Sequence, residues 1–476
     1  MTPMRVKTLL LSITCFIFIS DISTPSSIGA EQTINLSDAI EIALKQNREI
    51  RKTILGLESS GLNVQRASVE FMFNITPSAN TEITGDTAST SLGLDLSRKT
   101  TFGTKVRIGA HTSEDKLTDG SDVHRSTVLV ELRQPILRKI GRLVNVEAMV
   151  QAENRIKTLR RQFEMQKTDL IVDVVSKHEE LLMLQRQIEY EQKAIDRLTK
   201  LHRLTQVREK QGRVTRVDSL RSDLKLGNAR LQYNNTKERQ LSMMAEYAET
   251  LGLPPSTEFK ILPAPLVTVN ATNIEAAVQT ALQNRLDYAQ IIQDYEDAKR
   301  GIRIARRNML PDLNMISRYE LIGQGTTHSE AKPDEGIWFI GLSLDSDFLL
   351  RNERLNLSEA NINNQLAELR IEEVESAISK KVQQELLAYN RTQQQIGFAE
   401  RSYQLAQDRS KLARRLFEIH KGDSFSVTDA EDELSQAEIQ LLFAQSEAAT
   451  AAYKLKRVLG TLIEYPPDLK SGKAQQ

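Results

Sequence analysis

Two rhythms alternate along this 476-residue chain. In the first, apolar residues recur every three or four positions, as in Ile156, Leu159, Phe163, Leu170 and Val174, and again in Ile371, Val374, Ile378 and Val382. Seams of this spacing with charged flanks predict long helices that pack as coiled coils. The second rhythm changes with every residue. In "STVLVELRQ", Val128, Val130 and Leu132 fall on one face, and Thr127, Glu131 and Arg133 on the other. "PDLNMISRYEL" sets Leu313, Met315, Tyr319 and Leu321 against Asp312, Asn314, Arg318 and Glu320, and "GIWFIGLSLD" puts Trp338, Ile340, Leu342 and Leu344 together. Such segments predict strands with one apolar and one polar face. They fit a barrel with lipid outside and water inside, and fit a soluble sandwich equally well.

Proline placement gives the helices their length. No proline lies between Pro135 and Pro254, or between Pro333 and Pro466. A helix-interior proline costs about 3 kcal/mol, so its absence is what continuous helix requires. From Gly141 to Gln211 a helix would run for about 105 Å at 1.5 Å per residue, so the molecule is a rod or a tube.

The plan is also written twice. "LSDAIEIALKQNREI" from Leu36 returns as "IEAAVQTALQNRLDY" from Ile274, an offset of 238. Each copy runs through a proline into alternation, resumes helix after "RQPILRKIGR" or "DFLLRNERLN", breaks once, and ends at "TLGLPP" or "VLGTLIEYPP". The organisation expected is a first repeat over 31–270, a second over 271–465 and a short tail over 466–476. "TSLGLDLSRKTTFGTKVRIGAH" is an additional hairpin-like stretch over about 91–110, found only in the first repeat. Two hairpins from one chain cannot close a barrel, and open edges are not tolerated in lipid, so strands entering a membrane would need several chains.

Charge and composition narrow the function. With 63 basic and 63 acidic residues there is no field favouring nucleic acid. Residues 1–30 read as a secretory signal: Arg5 and Lys7 precede the apolar "LLLSITCFIFI", and "SSIGA" offers small residues for cleavage. The only cysteine, Cys15, falls inside it, so the exported chain has no thiol chemistry. Enzyme motifs are absent: no phosphate-binding glycine loop, no nucleophile elbow, and "HEELL" at His178 lacks the second histidine of a zinc-protease helix. The six histidines are scattered, and no metal or cofactor is expected. His178 reads as a packed or solvated residue of the seam.

The two helix breaks are "QGRVTRVDSL", with Gly212 and Asp218, and "KGDSFSVTDAEDEL", with Gly422 and Asp429. Both glycines read as turn residues that tolerate positive φ. Asp429 and Asp432 stand three apart on one helix and would share a face; alternatively Asp429 caps the returning helix.

Taken in order, these motifs resemble the TolC-like outer-membrane efflux proteins over nearly the whole mature length. The resemblance rests on "LSDAIEIALKQN" and its echo, on Pro-x-Leu entering a strand, on "QPIL" and "FLLRNERL" leaving one, and on the two tips. It implies a mainly α protein with β structure. In a homotrimer, four strands per protomer would make a twelve-stranded outer-membrane barrel in contact with lipid, continued by a helical barrel through the periplasm of a Gram-negative cell. It implies a passive exit duct for efflux or type I secretion, served by a periplasmic adaptor and an inner-membrane transporter of RND, ABC or MFS type. Carried onto this chain, it makes Asp429 and Asp432 candidates for a periplasmic gate. Gly212, Arg213, Val214, Asp218, Gly422 and Val427 become candidates for tip turns and adaptor docking, and Trp338 for a membrane-interface aromatic. The competing reading is a secreted structural coiled coil or adhesin without a channel.

Overall fold

A computed structural model describes residues 32–84, 87–116, 122–265, 267–269, 273–347 and 349–470. The signal segment, Cys15 and the end of the tail lie outside the described residues. The chain begins with β1 (Gln32–Ile34), α1 (Leu36–Gln46) and α2 (Arg48–Val69), then four strands: β2 (Asn74–Thr84), β3 (Thr87–Lys99), β4 (Lys105–Lys116) and β5 (Asp122–Pro135). Next come α3 (Arg142–Asn145), α4 (Glu147–Lys210), α5 (Arg216–Leu251) and β6 (Phe259–Ile261). The second repeat holds α6 (Ile274–Asn284), α7 (Leu286–Asn308), β7 (Asp312–Gly325), β8 (Glu335–Asp345), α8 (Arg351–Glu418), α9 (Ser424–Val458) and α10 (Pro467–Lys470).

The duplication is visible residue by residue. Both α1 and α6 are eleven residues long, and they start at Leu36 and Ile274, with Asn35 and Asn273 as side-chain N-caps. After the strands the offset between repeats falls from 238 to 208, since α5 begins at Arg216 and α9 at Ser424. The thirty residues that differ are those of the β3–β4 hairpin, 87–116.

That hairpin corrects the expected strand count. The sheet has six strands, in the order β2-β3-β4-β5-β7-β8, every neighbouring pair antiparallel. The stretch 91–110 alternates as its neighbours do: Leu92, Leu94 and Leu96 on β3 face the same way as Val106 and Ile108 on β4. It therefore pairs into the middle of the sheet rather than forming a separate flap. Four strands per protomer do not describe this chain's large sheet, which has six.

The helices form a long layer beneath the sheet. At 1.5 Å per residue, the 64 residues of α4 and 68 of α8 span about 96 and 102 Å. In the lower part α5 packs on α4, α4 on α9 and α9 on α8; nearer the sheet, α2 packs on α4, α4 on α7 and α7 on α8. Two cores anchor the middle of the layer. One gathers Ala39, Ala43, Val174, Val175, Leu181 and Leu251 beneath the parallel pair β1–β6. The other packs Ala277 and Ala281 against Val382, Ala452 and Leu455. His178 is buried in the first core, its ring nitrogens 2.9 Å from the Tyr247 hydroxyl and 3.0 Å from the Leu262 carbonyl oxygen.

Beside it on α4, Glu179 is also buried, and burial pushes its carboxyl up to about 7, with Arg186 only partly opposing. A raised folded pKa means that the fold favours the protonated acid. Stability is therefore greatest below the ordinary carboxylate range of about 4.3 and falls as pH rises toward and past 7. Glu179→Gln should melt with the wild type at pH 5 and above it at pH 8. A melting difference that does not change with pH would contradict this assignment.

Candidate functional site at the helical tips and the sheet face

The first tip follows from standard helix-end chemistry. α4 stops at Lys210, Gly212 takes φ +69°, and Arg213 N–H reaches back to the Arg208 carbonyl. Thr215 then opens α5 with a capping box: its hydroxyl accepts from Asp218 N–H, and its own N–H donates to the Asp218 carboxylate. The same carboxylate accepts from the Ser424 hydroxyl at 3.2 Å, joining the first tip to the start of α9. The Thr215 hydroxyl first, then Ser424, hold Asp218 below the usual carboxylate range.

The second tip is built on the same frame with different residues. α8 ends at Glu418, and the residue in the left-handed region is His420, with φ +65°, rather than Gly422. Gly422 serves close approach instead, since a Cβ there would lie 3.1 Å from the Phe417 backbone nitrogen. Asp423 is the N-cap of α9, accepting from Ser426 N–H at 2.7 Å. Matched by helix ends, Gly212 corresponds to His420 and Thr215 to Asp423, so Asp218 corresponds to Ser426 and not to Asp429. Asp429 lies inside α9 and caps nothing.

Both candidate gate aspartates are half exposed and each is paired within its own chain. Asp429 accepts from Arg409 Nη2 on α8 at 2.7 Å, and Arg409 also holds Glu433. Asp432 is paired with Lys225 on α5. The two carboxylates therefore turn to different neighbouring helices. Arg213 is exposed and Val214 partly so. Val427 is packed inside, 1% exposed among Leu198, Leu201, Leu226 and Phe417, and presents no surface to a partner. An exposed apolar side chain at this end is its near neighbour Phe425, with Arg221 5.3 Å above its ring.

Two buried arginine contacts at the tips, Arg208 with the end of α8 and Arg197 with Glu431, escaped sequence reasoning because the partners are more than two hundred positions apart. Arg208 of α4 donates to the Phe417 and Glu418 carbonyl oxygens and lies 4.2 Å over the Phe417 ring, so it caps the end of α8 from outside. Higher up, Glu431 on α9 accepts from Arg197 Nε at 2.6 Å and from the Ser410 hydroxyl at 2.7 Å, with Arg414 3.2 Å away. This group ties α4, α8 and α9 together at the level of the two aspartates.

The sheet separates two environments. Ile75 on β2, Leu94 on β3, Ile108 on β4, Val130 on β5, Tyr319 on β7 and Ile340 on β8 share one face, and most of that face is exposed apolar surface. The opposite face carries Asp95 paired with Arg107 at 2.8 Å and with His111 at 3.2 Å, together with Glu131 and Arg318. Phe339 is an exception there, lying 5.5 Å beneath the Arg318 guanidinium. Trp338 is 71% exposed on the apolar face and packs 4.7 Å from the Tyr319 ring. A contiguous exposed apolar face of this kind is what marks a membrane or protein interaction surface rather than a soluble monomer's exterior. No described helix is long and apolar enough to cross a membrane.

Removing one partner of a buried ion pair leaves the other unpaired at a cost of roughly 3–5 kcal/mol. Glu431→Ala should therefore lower the melting temperature and raise protease cleavage near 197–215 and 409–431. Asp432→Ala, which unpairs a half-exposed lysine, should do neither. Equal melting of the two variants would contradict the ranking.

The sequence signature of the outer membrane efflux protein family matches residues 277–461. No curated protein sequence matches the chain. Several solved outer-membrane channels share its fold. The channel OprN superimposes with a TM-score of 0.69 at 15% identity over 89% of each chain. VceC of Vibrio cholerae gives 0.67 at 15% identity over 89% of this chain and 96% of that one. The CmeC channel of Campylobacter jejuni gives 0.66 at 14% identity over 90% and 86%. The second repeat thus carries the sequence signature of the outer membrane efflux protein family, and the whole chain shares the fold of these outer-membrane channels.

Proposed function

We propose that this chain is one protomer of a closed trimeric exit duct, with its sheet in the outer membrane and its helices in the periplasm. The observation that carries the reading is that every level of the protomer has two free edges with matching chemistry. Near the sheet the edges are α2 and α8, and each bears an apolar stripe stepping by seven: Leu55, Leu62, Val69, and Leu355, Ile362, Leu369. Near the tips the edges are α5 and α8, with Val217, Leu224, Leu231, and Leu405, Leu412, Ile419. All twelve side chains are more than half exposed. In both pairs the numbers rise on one helix as they fall on the other, which is the register of an antiparallel coiled-coil seam between neighbouring protomers.

The sheet obeys the same logic. Its edge strands β2 and β8 run in opposite directions, so β8 of one protomer can pair antiparallel with β2 of the next. With six strands each, three protomers close an eighteen-stranded barrel, a size at which a barrel encloses a water-filled lumen. The polar face with Asp95, Arg107 and Glu131 then lines water, the apolar face meets lipid, and Trp338 with Tyr319 stands in the outer aromatic girdle.

At the other end the tips form the periplasmic mouth. Three copies of Asp429 and Asp432 around one axis give a carboxylate ring that favours cations, held in check by Arg409 and Lys225. An adaptor hairpin would meet the outer surface of the tips at Arg213, Val214 and Phe425, around the turns at Gly212 and Gly422 and the Asp218 cap. An inner-membrane transporter of RND, ABC or MFS type would supply the energy for drug efflux or type I secretion. The family is one of channels rather than enzymes, and the exposed apolar band disfavours an adhesin.

The mature sequence lacks cysteine, so Leu224→Cys with Leu412→Cys gives a clean test. Oxidation should crosslink one protomer to the next and stop at trimers; only intrachain product, or open-ended polymer, would overturn closure. For the gate, Asp429→Ala with Asp432→Ala should raise single-channel conductance in planar bilayers and weaken block by multivalent cations. Unchanged conductance and block would reduce both aspartates to intrachain ion pairs.

A further inference from the structure

At the end of the sheet farthest from the helices, three side chains from separate parts of the chain converge. Glu114 on β4 lies directly across from His124 on β5, and His328 arrives from the connection between β7 and β8. The two imidazole rings stand 4.1 Å apart, tilted by 47°. One ligand atom from each of the three residues lies within 4.8 Å of the others. His124 is 8% exposed, yet its Nδ1 has no hydrogen-bond partner among the described residues. A buried ring nitrogen left unpartnered is costly, and native structures ordinarily give it a hydrogen-bond partner, a water or an ion.

The connection that carries His328 is led to this place by its own structure. Thr326 donates to the Glu330 carboxylate through both its N–H and its hydroxyl, at 3.2 and 2.7 Å, and Ala331 N–H closes a turn onto the Thr327 carbonyl. Two glycines of β7 let this turn fold back over the strand. A Cβ on Gly323 would fall 2.1 Å from the Lys332 carbonyl oxygen, and one on Gly325 would fall 2.6 Å from Glu330 Cβ. Gly325 is the register partner of His124, so the turn that fills the missing side chain's place lies beside the buried imidazole.

We propose that Glu114, His124 and His328 form a site for a divalent transition metal of the Zn²⁺ class, which clips the second repeat's β7–β8 connection onto the first repeat's β4–β5 hairpin. Two imidazoles and one carboxylate are the donor set of Zn²⁺, Cu²⁺ or Ni²⁺, whereas Ca²⁺ and Mg²⁺ take oxygen ligands throughout. Three protein ligands leave a fourth position for water. Exposed His328 supplies the adjustment that draws ligand atoms now up to 4.8 Å apart into tetrahedral contact. Glu114 and His124 continue the face of Ile108, Ala110 and Val128 beyond its apolar residues, which sets the site at the rim rather than in the lumen. The site does not depend on the duct reading, and would stand if no channel were found.

The test uses the tag-free full chain as its detergent-solubilised oligomer, stripped with a chelator and titrated with Zn²⁺ by calorimetry. One Zn²⁺ per chain is expected. His328→Ala and Glu114→Gln should each weaken binding by at least about tenfold, the scale seen even for outer-shell changes at metal sites. Co²⁺ should give the visible absorption of a low-coordinate site, lost in His328→Ala. Both variants change rim residues and should keep the wild-type oligomer and melting profile without metal, which separates lost ligation from lost folding. No saturable Zn²⁺ binding, or the same stoichiometry and affinity in both variants, would overturn the proposal.

Discussion

An unpaired strand edge cannot rest in hydrocarbon, and that constraint organises this molecule from one end to the other. Each N–H and C=O on an open edge in lipid costs several kcal/mol, and β2 and β8 each present a full row of them. The six strands of one chain cannot curl far enough to cover their own edges and leave a water-filled lumen. On the duct reading the chain shares its barrel, and α2 and α8, which join the sheet at its two edge strands, follow the same symmetry. This accounts for the two seven-residue ladders on α8 facing α2 above and α5 below. One operation that closes the sheet also buries both ladders. The inserted β3–β4 hairpin widens the sheet without altering its edge strands β2 and β8.

At the opposite end the chemistry is ionic. The tips hold their shape through buried charge, with Glu431 between Arg197 and Arg414 and with Arg208 on the last carbonyls of α8. The candidate gate sits just outside that cluster, where Asp429 and Asp432 keep half-exposed partners. Such pairs contribute little to stability and are correspondingly easy to exchange. On the duct reading, a rigid ionic cluster beside loosely held carboxylates is the arrangement a mouth needs if it is to open without unfolding.

The sequence was legible wherever a period or a local motif governed structure. The helices followed from their seams and missing prolines, the faces of β5, β7 and β8 from alternation, and the duplication from one echo at Leu36 and Ile274. The extra hairpin was visible as a pattern over 91–110, but its place was not: pairing across a sheet is a long-range choice, and alternation alone does not name the neighbour. The second tip was misread because glycine was taken as the marker of the left-handed residue, while His420 fills that position and Gly422 makes room for Phe417. Val427 looked like a tip contact and is core, since a residue one turn into α9 can face inward. Arg208 with the end of α8, Glu431 with Arg197, and His328 with the Glu114–His124 pair were illegible for one reason, the distance in sequence between them.

The claim on which the account stands is that three such protomers share one barrel and that each adds its additional hairpin to the wall. A cryo-electron-microscopy reconstruction of the oligomer in lipid nanodiscs tests it directly by counting strands in cross-section through the membrane. Eighteen strands around a three-fold axis is the result predicted here; twelve strands with the 87–116 hairpin outside the wall, or an open sheet, would contradict it.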